Sequence, residues 1–169
     1  LALNDHEFCI KNQEENPSQQ PEFFIKGLTI QNMKHCGRIP GRPLNIQFNP
    51  HFNTIIGGRG TGKSTIIESM RIVSDREREL VDSSKIKIKL LKFKNHAEKH
   101  QVEKERGVML DETEISLIYS RRSLEYKIKW NYNTRLASLE EFRNENWQPC
   151  EEGIIAERFP MSIYSQKQI

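Results

Sequence analysis

A glycine-rich stretch between residues 57 and 65 constrains the fold of this chain more than any other feature. It reads GGRGTGKST and fills every fixed position of the pattern G-x-x-x-x-G-K-[ST]. The apolar residues before it, FNTII, predict a strand that is buried on both faces. The residues after it, STIIESMRIV, carry apolar side chains at helical spacing. A strand, a glycine loop and a helix in this order predict a phosphate-binding loop, or P-loop.

The chemistry expected of this loop follows from its residue types. Glycines let the backbone N–H groups approach phosphate oxygens, and the N-terminus of the helix adds the positive end of its dipole. We expect Lys63 to reach the β- and γ-phosphates, the Ser64 hydroxyl to ligate Mg²⁺, and Thr65 to lie near the α-phosphate. The predicted nucleotide-binding residues of the loop are Gly57, Gly58, Arg59, Gly60, Thr61, Gly62, Lys63, Ser64 and Thr65. No [NT]KxD pattern for reading guanine is evident, which favours ATP over GTP.

Length and composition exclude several other classes of protein. The 169 residues, of which 36% are hydrophobic and 29% charged, predict one domain with a modest core that includes Trp130 and Trp147. The net charge of +3 is too small to indicate nucleic-acid binding by itself. The three cysteines are too few and too far apart for a disulfide framework, and no apolar run could span a membrane. We therefore expect a cytoplasmic protein that does not associate with membranes.

The chain divides into an arm and a folded lobe. Residues 1–21 are polar and contain two prolines, which predicts an N-terminal arm or linker. Residues 22–169 carry the recurring apolar clusters and are expected to form the lobe. Because the chain begins with leucine and stops just after an apolar stretch, we expect it to be a fragment of a longer protein.

Periodicity predicts the order of the elements within the lobe. The runs FFIKGLTIQNM and LNIQFNP predict two strands, and TEISLIYS and LEYKIKWNY predict a hairpin. The run KIKIKLLKFK alternates like a strand, but a helix over roughly residues 88–105 is favoured. The run LASLEEFRNE predicts a short helix, and FPMSIYSQKQI predicts a strand that runs into a loop. These elements predict an α/β domain with a mixed sheet.

The order of these motifs resembles the start of the ABC-type ATPase heads of SMC, RecF and related DNA-repair proteins. Near the end of the chain, Gln166 follows an apolar run and resembles the Q-loop glutamine, which in that family completes the Mg²⁺ site and senses the γ-phosphate. The segments GGRGTGKSTIIE, WQPCEEG and RFPMSIYSQKQI more closely resemble the TrlF-type AAA-like ATPases, in which an SMC-like ATPase is often joined to a PHP-type phosphoesterase domain. Arg59, in place of the asparagine usual in SMC loops, fits that group better. The resemblance covers about residues 22–169.

The resemblance implies an ABC/SMC-head-like N-terminal lobe of a P-loop NTPase, with a mixed β-sheet around the P-loop helix. It implies catalytic roles for Lys63 and Gln166 and a metal site formed by Ser64 and Gln166. Related heads place side chains that contact the base or the α-phosphate where Lys34 and His35 follow the first strand, and a solvated turn is the alternative. It also implies a head-to-head homodimer, driven by ATP, that controls a nucleic-acid transaction in DNA repair, RNA processing or phage defence.

Two parts of the family pattern are absent from the sequence. No LSGG-type signature and no long apolar run ending in Asp-Glu, the Walker B motif, are present; Asp111-Glu112 follows only three apolar residues and is expected to lie in a loop. We therefore expect an ATPase that needs a missing C-terminal lobe and hydrolyses almost no ATP without it. Two alternatives stay open: a small-molecule P-loop kinase, and a regulatory module that binds nucleotide without hydrolysis.

Several weaker signals have ordinary structural explanations. The lysine-rich run at residues 85–94 could meet nucleic acid if it is a helix face, or protect an edge strand if it is a strand. Arg121 and Arg122 lie at the predicted hairpin tip, where a solvated turn is favoured over a phosphate contact. His96 and His100 are spaced i, i+4, but too few further ligands are evident for a zinc site.

Overall fold

The computed structural model describes residues 19–37, 39, 41–82, 84–99, 102–151 and 153–164. Its strands are β1 (Phe23–Gln31), β2 (Leu44–Gln47), β3 (Glu114–Arg121), β4 (Leu124–Asn131), β5 (Ala137–Arg143) and β6 (Asn146–Pro149). Its α-helices are α1 (Lys63–Val73), α2 (Lys85–Phe93) and α3 (Ile155–Arg158), with 3₁₀ turns at Arg76–Glu79 and Glu103–Glu105. Within the described part of the chain, no helix is long and apolar enough to cross a membrane.

The six strands form one sheet in the order β2-β1-β3-β4-β5-β6. All pairings between these strands are antiparallel, so the expected combination of helices with a sheet is present, but the sheet of described strands is antiparallel rather than mixed. The one parallel pairing among the described residues is an isolated bridge between His96 and Met109. The two strands predicted at the start of the lobe are confirmed as β1 and β2.

The core lies on the face of the sheet that α1 covers. Cross-strand partners on that face form apolar rows, because residues that pair across antiparallel strands point to the same side. The buried members of these rows are Leu28, Ile30, Ile115, Leu117, Ile128, Trp130 and Leu139. Helix α1 packs on β3 and β4 and buries Ile72 and Val73 against them. Trp130 is therefore in the core as predicted, whereas Trp147 is only partly buried on the edge strand β6, with the ammonium of Lys127 4.0 Å from its ring centroid.

Hairpins with two-residue turns join β3 to β4 and β5 to β6. Strands β3 and β4 are joined by Arg122 and Ser123, whose φ angles of 49° and 68° give the left-handed pair that matches the twist of a hairpin. The predicted hairpin is confirmed. The helix predicted over LASLEEFRNE is wrong, because this segment forms β5 and then a second two-residue turn at Asn144 and Glu145. Pairing with β4 on one side and β6 on the other overrides the helix propensity of its residues.

The lysine-rich run is a helix, as favoured, but α2 spans Lys85–Phe93 and does not continue to residue 105. The chain turns back after Phe93, where the N–H of Val108 donates to the Phe93 carbonyl at 3.2 Å and the N–H of Ala97 donates to the Met109 carbonyl at 2.8 Å. These contacts join residues more than ten positions apart, so helix propensity alone could not reveal them.

The segment before the glycine loop differs most from expectation. Residues 52–58 form no strand, and Ile56 is 90% exposed, so the prediction of a strand buried on both faces is wrong for the described chain. A buried strand needs a neighbour on each side, and no described segment pairs with this one. Residues 160–164 also lack regular structure, against the strand predicted there, and residues 165–169 lie outside the described part of the chain.

Candidate functional site

The glycine loop leads directly into helix α1. Gly60 and Gly62 have φ angles of 83° and 86°, a left-handed conformation that glycine adopts without the steric penalty of a side chain. Gly57 serves a different purpose, because a Cβ at that position would lie 2.5 Å from the Oγ1 of Thr61 and would displace that side chain. That hydroxyl donates a hydrogen bond to the Gly58 carbonyl at 2.9 Å. Backbone conformation and close approach therefore explain the glycines at three positions of the motif.

The first turn of α1 carries the positive end of the helix dipole, and no side chain caps or neutralises it. Gly62 is the N-cap and supplies no side-chain hydrogen bond, and no acidic residue lies in the first turn. The ammonium of Lys63 folds over the loop and donates to the carbonyl of Gly57 and, at 2.5 Å, to that of Gly58. Ser64 is exposed beside it and Thr65 is partly buried. Free N–H groups, a helix dipole and an ammonium group together suit a phosphate ligand, and the Ser64 hydroxyl suits Mg²⁺.

The C-terminal end of α1 is fastened to the last described segment of the chain. Arg71 is 1% exposed, lies 3.5 Å from the Glu68 carboxylate through its Nε, and donates from Nη2 to the Ile163 carbonyl at 3.3 Å. Arg76 donates to the carbonyls of Ala156 and Phe159 at 2.5 and 3.1 Å. We call residues 155–164 the strap. The strap leads to Gln166, which lies outside the described residues, so its predicted catalytic and metal-binding roles stay predictions.

Sequence reasoning missed the role of Arg71. The signal was present, because Glu68 and Arg71 are spaced i, i+3 inside an otherwise apolar helix pattern. A charged pair at that spacing is usually assigned to the solvent-facing side of a helix. Here both residues are buried, with Arg71 at 1% and Glu68 at 7% exposure, and Arg71 donates a hydrogen bond to the strap.

Lys34 and His35 lie in the turn after β1. The backbone N–H of Lys34 donates to the Val108 carbonyl at 2.9 Å, and its ammonium is 3.9 Å from the Glu98 carboxylate. His35 is exposed, with a left-handed φ of 61°. The described hydrogen bonds and ion pairs of these two residues therefore go to other segments than the glycine loop, and their predicted contact with a nucleotide stays a prediction.

Asp111 and Glu112 lie in a turn, as expected, and not at the end of a strand. The ammonium of Lys99 bonds both carboxylate oxygens of Asp111, at 2.5 and 2.7 Å, and this hydrogen bond holds the pKa of Asp111 below its usual value. His96 lies 3.5 Å from the same carboxylate, and its Nδ1 accepts from two backbone N–H groups at 3.0 and 3.1 Å. These contacts tie the turn at Asp111 to residues 96–99. His100 lies outside the described residues, and the described part of the chain holds no cluster of three or more metal-ligating side chains.

The hairpin tip is tied to the start of β1. The backbone N–H of Arg122 donates to the Glu22 carbonyl at 2.7 Å, and its side chain is 3.4 Å from the Glu22 carboxylate. Its guanidinium also lies 5.9 Å from the ring centroid of Phe23. These contacts account for Arg122 as part of an ordinary turn, which agrees with the interpretation favoured from the sequence.

Comparison with known proteins gives a family and several matches among solved structures. A family model described as an AAA domain matches residues 28–168. A solved structure described as "Structural biochemistry of ATP-driven dimerization and DNA stimulated activation of SMC ATPases" matches with 14% identity and a TM-score of 0.46, over 79% of this chain and 76% of that one. No curated protein matches the chain. The family match takes in the glycine loop and the strap as parts of one domain.

Proposed function

Because this chain belongs to the AAA domain family, we propose that it is the ATP-binding N-terminal lobe of an SMC/RecF-like P-loop ATPase. One observation carries the proposal: the loop passes through two left-handed glycines into an uncapped helix N-terminus, and the Lys63 ammonium lies over the loop. Backbone N–H groups arranged in this way suit the phosphates of a nucleotide. The proposed ligand is ATP with Mg²⁺.

The residues of the site have distinct proposed roles. Lys63 exchanges its two carbonyl partners for oxygens of the β- and γ-phosphates. Ser64 and Gln166 are the two proposed protein ligands of Mg²⁺. When it is bound, Mg²⁺ would neutralise part of the negative charge of the phosphates. Lys34 and His35 are proposed to contact the base or the α-phosphate, because they follow β1 in the position that the family resemblance implies.

The exposed segment before the loop supports the need for a second lobe. Phe52 and Ile56 are 80% and 90% exposed, although burying one such side chain is worth about 1.5–3 kcal/mol. We propose that a C-terminal lobe covers these side chains with a neighbouring strand. That lobe would also supply the carboxylate that polarises the attacking water. This sequence has no Walker B motif, and Asp111 and Glu112 lie in a turn rather than at the end of a strand. Two complete heads would then join head to head around ATP.

The wider role belongs to the same proposal and rests on the motif resemblance. A TrlF-type ATPase would couple head dimerisation to a nucleic-acid transaction in DNA repair, RNA processing or phage defence. The proposed cytoplasmic location agrees with the free cysteines at Cys36 and Cys150.

Calorimetric titration of the chain with Mg²⁺·ATP and Mg²⁺·GTP tests the proposal. We expect saturable ATP binding that weakens at least tenfold in Lys63→Ala, since a phosphate-binding ammonium is lost. Lys104→Ala, which removes an exposed lysine of the 3₁₀ turn at Glu103–Glu105, is the matched control and should bind ATP normally. ATP binding that is unaffected by Lys63→Ala would contradict the site. Rapid ATP turnover by this chain alone, abolished in Lys63→Ala, would contradict the need for a second lobe.

A further inference from the structure

Helix α2 divides its lysines between two faces. The inward face places Ile86 and Leu90 against the core. On the same side, the ammonium of Lys87 donates to the Glu77 carbonyl at 3.1 Å, and that of Lys94 bonds both carboxylate oxygens of Glu77 at 2.9 and 2.6 Å. These two lysines are therefore engaged in holding the helix to the 3₁₀ turn before it.

The outward face carries the other three lysines. Lys85, Lys89 and Lys92 are exposed, and within the described part of the chain no ion pair is found for any of them. At about 100° per residue they fall within an arc of roughly 60°, so they form one row along the crest of the helix. The row is about 10.5 Å long at a rise of 1.5 Å per residue. The exposed Ile88 and Leu91 lie to one side of this crest.

No negative charge from within the same segment offsets these lysines. Residues 85–94 contain five lysines and no acidic residue, although acidic residues are nearly as common as basic ones in the whole chain. Unpaired ammonium groups in a row attract a polyanion with a repeating charge. We propose that the row formed by Lys85, Lys89 and Lys92 binds the phosphate backbone of a nucleic acid. The proposal rests on the nucleic-acid part of the proposed function and names the surface that carries it.

The side chains of the row also predict the kind of contact. Along one strand of duplex DNA the phosphates are about 3.4 Å apart in the axial direction, so a row of about 10.5 Å spans roughly three phosphates of that strand. Lysine acts as a point charge on a flexible stem, and the exposed positions of α2 hold no arginine, asparagine or glutamine, whose planar groups make two-point contacts with base edges. The contact should therefore be independent of base sequence.

A lipid surface fits the same face less well. A helix that lies in a membrane interface turns an apolar side toward the acyl chains and keeps its charges at the edges. In α2 the lysines occupy the centre of the outward face, and Ile88 and Leu91 occupy one flank. Within the described helix α2, Ile88 and Leu91 are the only large apolar side chains that are exposed, which is a small surface to insert among acyl chains. A phosphate backbone lying along the lysine row therefore matches the face better.

Fluorescence anisotropy with a labelled duplex of about 30 base pairs tests this surface. The test variant is Lys89→Gln/Lys92→Gln. The control, Lys26→Gln/Arg122→Gln, also removes two cations, whose side chains are 51% and 70% exposed. We measure log affinity against log salt over roughly 50–200 mM salt. In the test variant we expect the magnitude of the negative slope to fall by about 1.8 and binding to weaken about tenfold. The control should keep the wild-type slope, and two unrelated duplex sequences should bind alike.

Any of three results would overturn the proposal. These are no duplex binding by the wild-type chain, equal losses in the test and control variants, or lysine-dependent binding to phosphatidylserine vesicles in place of the duplex. Failure here is distinguishable from failure of the nucleotide site. Lys63→Ala should still bind the duplex, and Lys89→Gln/Lys92→Gln should still bind ATP in the calorimeter.

Discussion

Phe159 is the side chain that secures the strap to the rest of the domain, and its removal gives the sharpest test of the fold. The ring is fully buried, at 0% exposure. It packs edge-on against Tyr119 and Tyr126, with ring centroids 5.2 and 5.3 Å away and interplanar angles of 69° and 62°. The Tyr119 hydroxyl also donates to the Pro160 carbonyl at 2.7 Å. The strap has only one short helix, so side-chain contacts of this kind hold it in place.

The expected cost of Phe159→Ala follows from these contacts. Replacing a buried phenylalanine by alanine typically costs about 3–5 kcal/mol, because apolar contacts are lost and a cavity remains. The two edge-on ring contacts account for about 0.5–1.5 kcal/mol each. For a chain of this size each kcal/mol lowers the melting temperature by about 2–4 °C, so we expect a fall of roughly 6–20 °C.

Urea unfolding followed by circular dichroism measures the change in the free energy of unfolding. Phe159→Leu is the matched control, because it keeps most of the apolar volume and loses the ring edges, and it should cost about 1–3 kcal/mol. A cost below about 1 kcal/mol for Phe159→Ala would refute the packing of the strap on β3 and β4. An equal cost for both variants would refute the contribution of cavity formation.

Two further predictions concern the turn after α2. A Cβ at Gly107 would lie 2.3 Å from the Asn95 carbonyl oxygen and 2.4 Å from that of Lys92, so Gly107→Ala should cost about 1–3 kcal/mol in urea unfolding; a cost below about 0.5 kcal/mol would contradict this close approach. The Lys99 ammonium lowers the pKa of Asp111 in the folded protein. The ion pair therefore stabilises the fold above the ordinary aspartate pKa of about 3.9, and this stabilisation is lost as the pH falls through the lowered pKa. The wild-type advantage over Asp111→Asn should therefore shrink below about pH 4, and an advantage that grows on acidification would contradict the ion pair.

Local patterns predicted those features whose causes are local. The hairpin at Arg122 and Ser123 lies between two alternating runs, and the helix that starts at Lys63 follows a glycine loop with an apolar periodicity of its own. In both cases the residues that set the structure lie within a few positions of one another. The turn at Asp111 was likewise predicted from its immediate neighbours.

Non-local contacts decided where prediction failed. The run around Leu139 has helix-forming residues, yet strands on both sides hold it as β5. Helix α2 ends at Phe93 because the chain returns to its C-terminal end at Val108. The apolar run that ends at Ile56 looks like a buried strand, but no described segment pairs with it.

The amino-acid sequence alone therefore determines the glycine loop and the start of the helix that follows it, and it predicts that this loop binds phosphate. The glycines and Lys63 act through backbone conformation and short-range reach, and both are properties of adjacent residues. Only the tertiary structure shows that Arg71 is buried and bound to the strap, and that one row of lysines on α2 is left facing outward. Burial and pairing depend on which distant segments meet, and the spacing of residues along one segment does not contain that information.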